Sequence, residues 1–435
     1  MNMATFVATN TVYPTIGEVI RFLAVTSGLV STDADKPDDV YEHLKPFARE
    51  QKGKDFGWID AILDELQRRL EDCIAPPGIA GITFDVFRRF LDRYKVLILL
   101  GRVNAWSREQ FVEEILIPEF VVPHVAWLLK RLNQKPFDFL SIDELLRSPA
   151  PLKVAFTHFL SLSGKSWLDL ADLYQGKAMS YGGRTTEHDV EDNKKLIRRW
   201  GAGTATPSFE TCWNLLEALG QDEYSGIVFW TWISRFLQKV DLRYRLLIAD
   251  AIQRDAELPM PKDFAERLTG DSDARARPQI TQDTVFYLRM LTTLLFYNKH
   301  RHQGDKVRVE LLLAKVKELV GESSLTKFYV TWLEARYYLY CRDIQKALAG
   351  YEQAFYEGMY RDCQAENAIL PQWAAIAQKA GDKAALKRID SRMRMLGMYP
   401  SGMSADEVAA MRLRAFHDNL GAGLCFHESF AEEGK

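Results

Sequence analysis

Apolar residues recur at steps of three and four through most of this 435-residue chain. The clearest run has charged residues between its apolar positions, which are Phe56, Ile59, Ile62, Leu63, Leu66, Leu70 and Cys73. This period is typical of an amphipathic helix, and no useful length of the chain alternates apolar and polar residues as a strand would. The fold is therefore predicted to be all-α. Five more segments have the same period: 84–100, 107–133, 223–252, 281–299 and 306–320.

The length favours two to four domains, and 47% hydrophobic residues supply enough apolar side chains for their cores. Turn-forming residues concentrate at 134–152 and at 254–281, which also carries three prolines and dense charge. These breaks predict four regions: a helical N-terminal domain of unidentified role, a middle module with following helices, an array of helical repeats, and a C-terminal helix with a tail, at 1–150, 151–253, 282–400 and 401–435.

Charge and cysteine content exclude several classes of protein. Lys and Arg number 56 against 59 Asp and Glu, so the whole molecule has no basic field and a nucleic-acid contact must be a local patch. The five cysteines form no CxxC pair, which favours reduced thiols over a zinc ribbon or a disulfide framework. No apolar run is long enough to span a membrane, and the first residues do not resemble a signal peptide. We therefore expect a cytoplasmic protein with no cofactor, no metal and no enzymatic activity.

A repeat is visible in the last third of the chain. Asp305, Asp343 and Asp382 follow one another at spacings of 38 and 39 residues, and each is predicted to lie between two helical runs. Such a period indicates a series of helical hairpins. In the central unit, small and aromatic residues alternate at helical spacing: Ala335, Tyr338, Ala347, Tyr351 and Ala354.

This central unit, 331–359, resembles a tetratricopeptide repeat, although the period is longer than usual for that family. The alternative is a generic array of α-helical hairpins. Both interpretations imply a stacked helical solenoid, and a solenoid of this kind would bind a peptide, a protein or a second copy of the chain.

The most specific segment of the sequence is 197–220. A helix is predicted to end at Trp200, where Gly201 and Gly203 follow. A second helix then begins near Pro207, with Thr206 or Ser208 as its N-cap and Gly220 after its end. One side of this second helix is apolar, through Cys212, Leu215, Leu216 and Leu219.

The segment resembles the lambda-repressor-like (Cro/XRE) helix-turn-helix family over the positions Ile197, Trp200, Gly203, Pro207, Ser208, Glu210, Thr211, Leu216 and Leu219. The helix before it would be 166–176, with Leu170 and Ala171 in the family's Leu-Ala positions. Between Ala171 and Ile197 the chain has roughly sixteen more residues than the short turn that the motif uses. This insertion lies where a recognition helix would meet the DNA groove.

The resemblance implies a recognition helix at 190–200 that binds DNA. Asn193, Lys194 and Arg198 would face base edges, Lys195 and Arg199 would meet phosphates, and Trp200 would lie in the core. Further backbone contacts would come from the insertion, through Arg184, Thr185 and Thr186.

Four acidic residues stand among the five basic ones of 184–200, a small excess for a DNA-binding surface. Two other interpretations therefore stay open. The motif would then serve packing or protein contact, or it would bind RNA. The whole chain could equally be a scaffold or adaptor that uses its helices for protein contacts, for instance in phage defence or a mobile-element system. An enzyme would have to place its catalytic residues in the first domain.

Overall fold

A computed structural model describes residues 11–30, 38–48, 59–73, 78–133, 140–167, 169–170, 187–220, 225–297, 303–321, 325–399 and 402–415. Within these ranges the chain is all-α, which confirms the predicted fold class. A single isolated bridge between Arg102 and Asp362 is the only strand-like pairing that these ranges contain. None of their helices is both long and apolar enough to cross a bilayer.

The first half of the chain contains these helices, in this order: α1 (Ile16–Ser27), α2 (Asp39–Ala48), α3 (Ile59–Cys73), α4 (Ile79–Leu100), α5 (Arg108–Gln110), α6 (Val122–Asn133), α7 (Ile142–Arg147), α8 (Pro151–Leu162), α9 (Glu187–Gly201) and α10 (Phe209–Ala218). The second half continues with α11 (Ser225–Lys239), α12 (Leu242–Gln253), α13 (Pro261–Ala276), α14 (Gln282–Thr292), α15 (Gln303–Val320), α16 (Lys327–Tyr340), α17 (Ile344–Gly358), α18 (Leu370–Ala380), α19 (Lys383–Met395) and α20 (Ala405–Ala415). Short π-helical stretches occupy Phe111–Val121, Thr293–Tyr297 and Ala365–Ile369.

Two periodic segments are less regular than their patterns predict. The segment 223–252 is divided at Asp241, whose carboxylate accepts the amide of Arg243 at 2.9 Å and caps α12. The segment 107–133 is π-helical over Phe111–Val121, around Pro118. Proline lacks the N–H that an α-helical turn uses, and wider turns surround it here. A hydrophobic period therefore locates helical chain correctly but does not show where one helix ends.

The proline-rich segment 254–281 contains α13, a helix of 16 residues. Pro261 stands in its first turn, where a missing N–H costs no hydrogen bond. Phe264, Ala265 and Leu268 are buried on one side of the helix, and α13 packs against α4. Residues 254–281 therefore contribute to the core as well as connecting the helices on either side.

The N-terminal residues are hydrogen-bonded to the C-terminal third of the chain. The amides of Val12 and Tyr13 donate to the carbonyl of Tyr360 at 3.2 and 3.0 Å. The Ile16 amide donates to the Tyr360 hydroxyl at 3.2 Å. Burial of Tyr13 raises the pKa of its phenol well above the usual range. The N-terminal residues and the C-terminal third belong to one connected hydrophobic core, which includes residues from Val12 to Val408.

Three successive helical hairpins follow α13. Their helices pair as α14 with α15, α16 with α17 and α18 with α19, and α15 contacts α16 as α17 contacts α18. Asp343 and Asp382 cap α17 and α19 by accepting amides of the first turn at 3.1 and 2.9 Å. The prediction that Asp305 lies between two helices is wrong, because α15 already begins at Gln303.

The central hairpin is held by small residues at its helix contact. Ala335, Ala347 and Tyr351 are fully buried. A Cβ atom added to Gly350 would lie 2.7 Å from the Cβ of Ala335, closer than two carbon atoms can pack. The Tyr351 hydroxyl donates to Oε1 of Gln372 at 2.9 Å and so connects this hairpin to the next. The close approach of α16 and α17 depends on these small side chains.

Candidate nucleic-acid interface

Helix α9 contains the residues that the sequence predicts for a recognition helix. Ile197 and Trp200 are buried on one side, with 3% and 5% of their surfaces exposed, and α9 contacts α8. The prediction that Trp200 belongs to the core is thereby confirmed. Lys195, Arg198 and Arg199 are exposed, whereas Lys194, three residues before Ile197, is half-buried at the edge of the buried side. We call these four cationic residues the α9 basic face.

The remaining predicted contacts are less completely placed. Asn193 lies on α9, but its side chain is outside the described part of the structure. Arg184, Thr185 and Thr186 fall outside the described residues, as does the rest of the insertion from 171 to 186. The structure therefore brings Lys194, Lys195, Arg198 and Arg199 together on one helix. That Asn193, Arg184 and Thr185 join them stays a prediction.

The helix before the insertion begins as predicted. The Ser166 amide donates to the Asp169 carboxylate at 2.6 Å, and the Ser166 hydroxyl accepts the Asp169 amide at 3.4 Å. The Ser166 hydroxyl also donates to this carboxylate at 2.8 Å, and the two hydrogen bonds from the Ser166 amide and hydroxyl lower the pKa of Asp169. The indole N–H of Trp167 donates to the Thr157 hydroxyl at 2.9 Å, which ties this helix start to α8. Leu170 is buried, and the described part of the helix ends there.

The loop after α9 turns back over the end of the helix. The amides of Gly203 and Thr204 donate to the carbonyls of Trp200 and Arg199, both at 3.0 Å. Gly203 has a φ of +72°, a conformation that side chains disfavour, and a Cβ there would lie 3.1 Å from the Pro149 carbonyl oxygen. The glycine that the sequence pattern includes is thus required by the path of the loop.

Helix α10 has the caps that its sequence predicts. Ser208 is the N-cap, and its hydroxyl accepts the Thr211 amide at 3.0 Å. Gly220 follows the helix with a φ of +66°. The predicted apolar side is buried, and among its residues burial raises the pKa of the Cys212 thiol to about 12. Cys212 is therefore a core residue and not a reactive thiol.

Two polar residues of α11 fix the loop between α9 and α10. Arg235 is 3% exposed, and its guanidinium donates to the carbonyls of Pro207 at 2.8 Å and Thr26 at 3.1 Å. Gln238 donates to the Ala205 carbonyl at 2.9 Å. Burial lowers the pKa of Arg235. Neither residue is predicted from the sequence, although two polar residues three positions apart in an aromatic helix are a signal for such contacts.

The α9 basic face has the chemistry of a polyanion contact. Within the described chain, Lys194, Arg198 and Arg199 form no ion pair, so their charges are not neutralised by neighbouring carboxylates there. Guanidinium and ammonium groups donate hydrogen bonds to phosphate oxygens and to base edges. Glu191, exposed on the same helix, reduces the local excess of positive charge.

Other chemistry is sparse in the described residues. They contain no group of three or more His, Cys, Asp or Glu side chains arranged to hold a metal ion. Cys212, Cys341 and Cys363 are free thiols. Burial raises the pKa of Cys363 to about 11, which keeps that thiol protonated at neutral pH.

No protein-family model, curated protein or solved structure matches the chain. The helix-turn-helix and tetratricopeptide interpretations therefore depend on this chain's own residues.

Proposed function

We propose that this protein is a DNA-binding regulatory protein. In this proposal α9 enters the major groove of DNA, and the helical hairpins from α14 to α19 contact a peptide, a protein or a second copy of the chain. The observation that carries it is the two-sided character of α9. Ile197 and Trp200 are buried on one side of the helix, while the side chains of Arg198 and Arg199 are exposed to solvent.

A helix that reads DNA needs a free face and a rigid support. The major groove is about 12 Å wide and admits one α-helix. Helix α8 supports α9 from the buried side, and Arg235 and Gln238 fix the loop that follows. This support favours a constant orientation of the basic side chains, which sequence-specific contacts require.

The residues divide into two roles. Asn193, Lys194 and Arg198 would contact base edges, because they lie in the part of α9 that would enter the groove. Lys195 and Arg199 would contact phosphates, with Arg184 and Thr185 adding backbone contacts from the insertion. Pairing of two copies through the hairpins would present two α9 helices to half-sites about 34 Å apart.

A binding titration on fluorescent DNA duplexes tests this function. Anisotropy is measured with several fragments at about 50 and about 200 mM salt, since phosphate contacts weaken as salt rises. We expect the wild type to bind more weakly at the higher salt and to prefer one fragment. Lys194→Ala/Arg198→Ala should lose about tenfold in affinity together with that preference.

A matched double variant controls for net charge. Arg254 and Arg277 are exposed arginines far along the chain from α9, and Arg254→Ala/Arg277→Ala removes the same two charges. Its affinity should stay near that of the wild type. A fragment preference that survives Lys194→Ala/Arg198→Ala would contradict the role of those two residues, and absence of binding at low salt would contradict the function.

One observation favours the alternative of a protein scaffold. Apolar side chains face solvent on the first hairpin: Leu311 is 68% exposed, Phe286 58% and Val307 57%. On α15, Val309 and Val316 are buried against the neighbouring helices, so this helix is apolar on two sides. Val307 and Leu311 are four residues apart on α15 and therefore lie on one face, and an exposed apolar patch of this kind marks a protein contact. A second copy of the chain fits, because a twofold axis pairs such a patch with itself.

Sedimentation at increasing protein concentration tests the scaffold alternative. We expect a concentration-dependent dimer that Leu311→Gln abolishes and that Leu242→Gln, a substitution of an exposed leucine on α12, leaves intact. A chain that dimerises in this way without binding DNA at low salt would be a scaffold. A monomer at every concentration would contradict the self-contact.

A further inference from the structure

A second group of arginines lies far from α9, on helices α4 and α6. An open cleft of about 600 Å³ runs between these helices. We call it the arginine cleft, and the residues that define it are Arg88, Arg89, Arg93, Trp127 and Arg131.

The tryptophan holds two of the guanidinium groups in place. The Cζ atom of Arg89 lies 5.3 Å from the centre of the Trp127 ring, and that of Arg131 lies 5.0 Å from it. Arg89 comes from α4, whereas Trp127 and Arg131 are four residues apart on α6. Cation–π contact therefore restricts both guanidiniums and leaves their N–H groups available to donate hydrogen bonds.

The charges of this cleft are only partly compensated. Arg88 lies 2.7 Å from Asp64, and Asp92 is paired with Lys95 at 3.1 Å. Within the described residues, Arg89 and Arg131 have no carboxylate partner. Asp85 and Asp92 also line the cleft, so four arginines face two aspartates there.

Arg93 completes the cluster from the inner end. Its guanidinium donates to the Pro259 carbonyl at 2.7 Å, which fixes its position against the chain that leads into α13. Burial lowers the pKa of Arg93, and the positive charge of Arg89 lowers it further. Two guanidiniums held close enough to repel each other gain stability when an anion binds between them.

We propose that the arginine cleft binds the phosphate groups of a polyanionic ligand, with Arg89, Arg93 and Arg131 as donors and Trp127 as their positioning residue. Guanidinium groups match the geometry of phosphate oxygens with two parallel hydrogen bonds. The ligand is either a free polyphosphate or the backbone of a nucleic acid, since both present the same groups. This inference does not depend on the function proposed for α9.

Binding of two probes separates these sources. Tripolyphosphate is titrated by calorimetry, and a fluorescent single-stranded DNA is titrated by anisotropy, each at about 50 and about 200 mM salt. Arg89→Ala/Arg131→Ala should weaken binding of at least one probe by about tenfold or more, since each charge-assisted hydrogen bond contributes strongly. The control Arg254→Ala/Arg277→Ala should leave that binding unchanged.

Trp127→Leu tests the positioning role. It keeps all four guanidiniums, so the dependence of affinity on salt should stay as in the wild type while affinity falls several-fold. Arg89→Ala/Arg131→Ala should instead reduce the salt dependence, because two phosphate contacts are lost. Thermal unfolding of each variant shows that a loss of binding is not a loss of folded protein.

The outcomes also separate this site from α9. If Arg89→Ala/Arg131→Ala weakens the binding of tripolyphosphate but not that of DNA, the ligand is a small phosphate compound. If Arg89→Ala/Arg131→Ala weakens DNA binding by the same factor in the wild-type protein and in the Lys194→Ala/Arg198→Ala variant, the cleft binds nucleic acid independently of α9. If neither probe binds at low salt, or both bind Arg89→Ala/Arg131→Ala as they bind the wild type, the inference is wrong whatever α9 does.

Discussion

The α9 basic face and the arginine cleft are both cationic, but they are built differently. On α9, neighbouring residues of one helix supply the charge, and hydrogen bonds from α11 to the following loop fix the backbone. In the cleft, two helices supply the charge, and the Trp127 ring fixes the side chains themselves. The first surface therefore depends on its loop, whereas the second depends on the packing of α4 with α6.

Substitution of Arg235, which fixes the loop between α9 and α10, should have the largest effect on the free energy of unfolding. Arg235→Leu leaves the carbonyls of Pro207 and Thr26 without their buried donor, and we expect a loss of about 4 kcal/mol in the free energy of unfolding. Urea unfolding followed by circular dichroism measures it. Under conditions where the variant stays folded, DNA affinity through α9 should fall while phosphate binding in the arginine cleft is retained.

Arg254→Leu is the control, because Arg254 is exposed and its hydrogen bond stays within its own helix. Its unfolding free energy should match that of the wild type. Equal losses of both binding activities in Arg235→Leu would mean that the two surfaces do not have separate supports.

A histidine behind the arginine cleft should make that region sensitive to acid. His124 is 3% exposed, and its Nδ1 lies 2.6 Å from the Phe120 carbonyl oxygen. The centre of its ring is 5.2 Å from the ring centre of Phe90 and 4.6 Å from that of Phe120. Burial lowers the pKa of His124 from 6.5 to about 4, with the charge of Arg93 acting in the same direction. The folded chain thus holds a neutral ring where the unfolded chain takes up a proton.

The direction of the pH dependence follows from this difference in protonation between the folded and unfolded chain. The contribution of His124 to the free energy of unfolding is fully present above pH 6.5. It is lost as the pH falls towards 4, which lowers the free energy of unfolding by about 3 kcal/mol. Urea unfolding at several pH values should show this slope in the wild type and a shallower one in His124→Phe. His158→Phe, on α8, serves as the control. Equal slopes in wild type and His124→Phe would contradict the prediction.

Local patterns predicted more of α9 than of the arginine cleft. Ile197, Trp200, Ser208 and Gly220 belong to one short segment, and caps and buried sides depend on neighbours three or four residues away. Their positions in the structure follow from that period. The same period predicted helices at 84–100 and 107–133, but it did not show that Arg89 and Trp127 meet.

Contacts between distant helices explain what was missed. Arg235 reaches back to Pro207 and to Thr26 because α11 packs against both α10 and α1. Such partners are decided by packing, and the spacing of residues within one helix contains no information on it. Asp305 shows the converse error, since its spacing suggested a position between two helices that the earlier start of α15 excludes.

The smallest expected effect compares two helix caps of the same design. Ser208 and Thr281 each accept the amide of a threonine three residues later, at 3.0 and 3.2 Å, and each hydroxyl lies 2.8 Å from that threonine's hydroxyl. Ser208→Ala and Thr281→Ala should therefore each cost about 1 kcal/mol in urea unfolding. Because Ser208 ends the loop that follows α9, only Ser208→Ala should also reduce DNA affinity, by a few-fold in the anisotropy titration. A matching loss in Thr281→Ala would show that general stability, and not the loop, controls the α9 basic face.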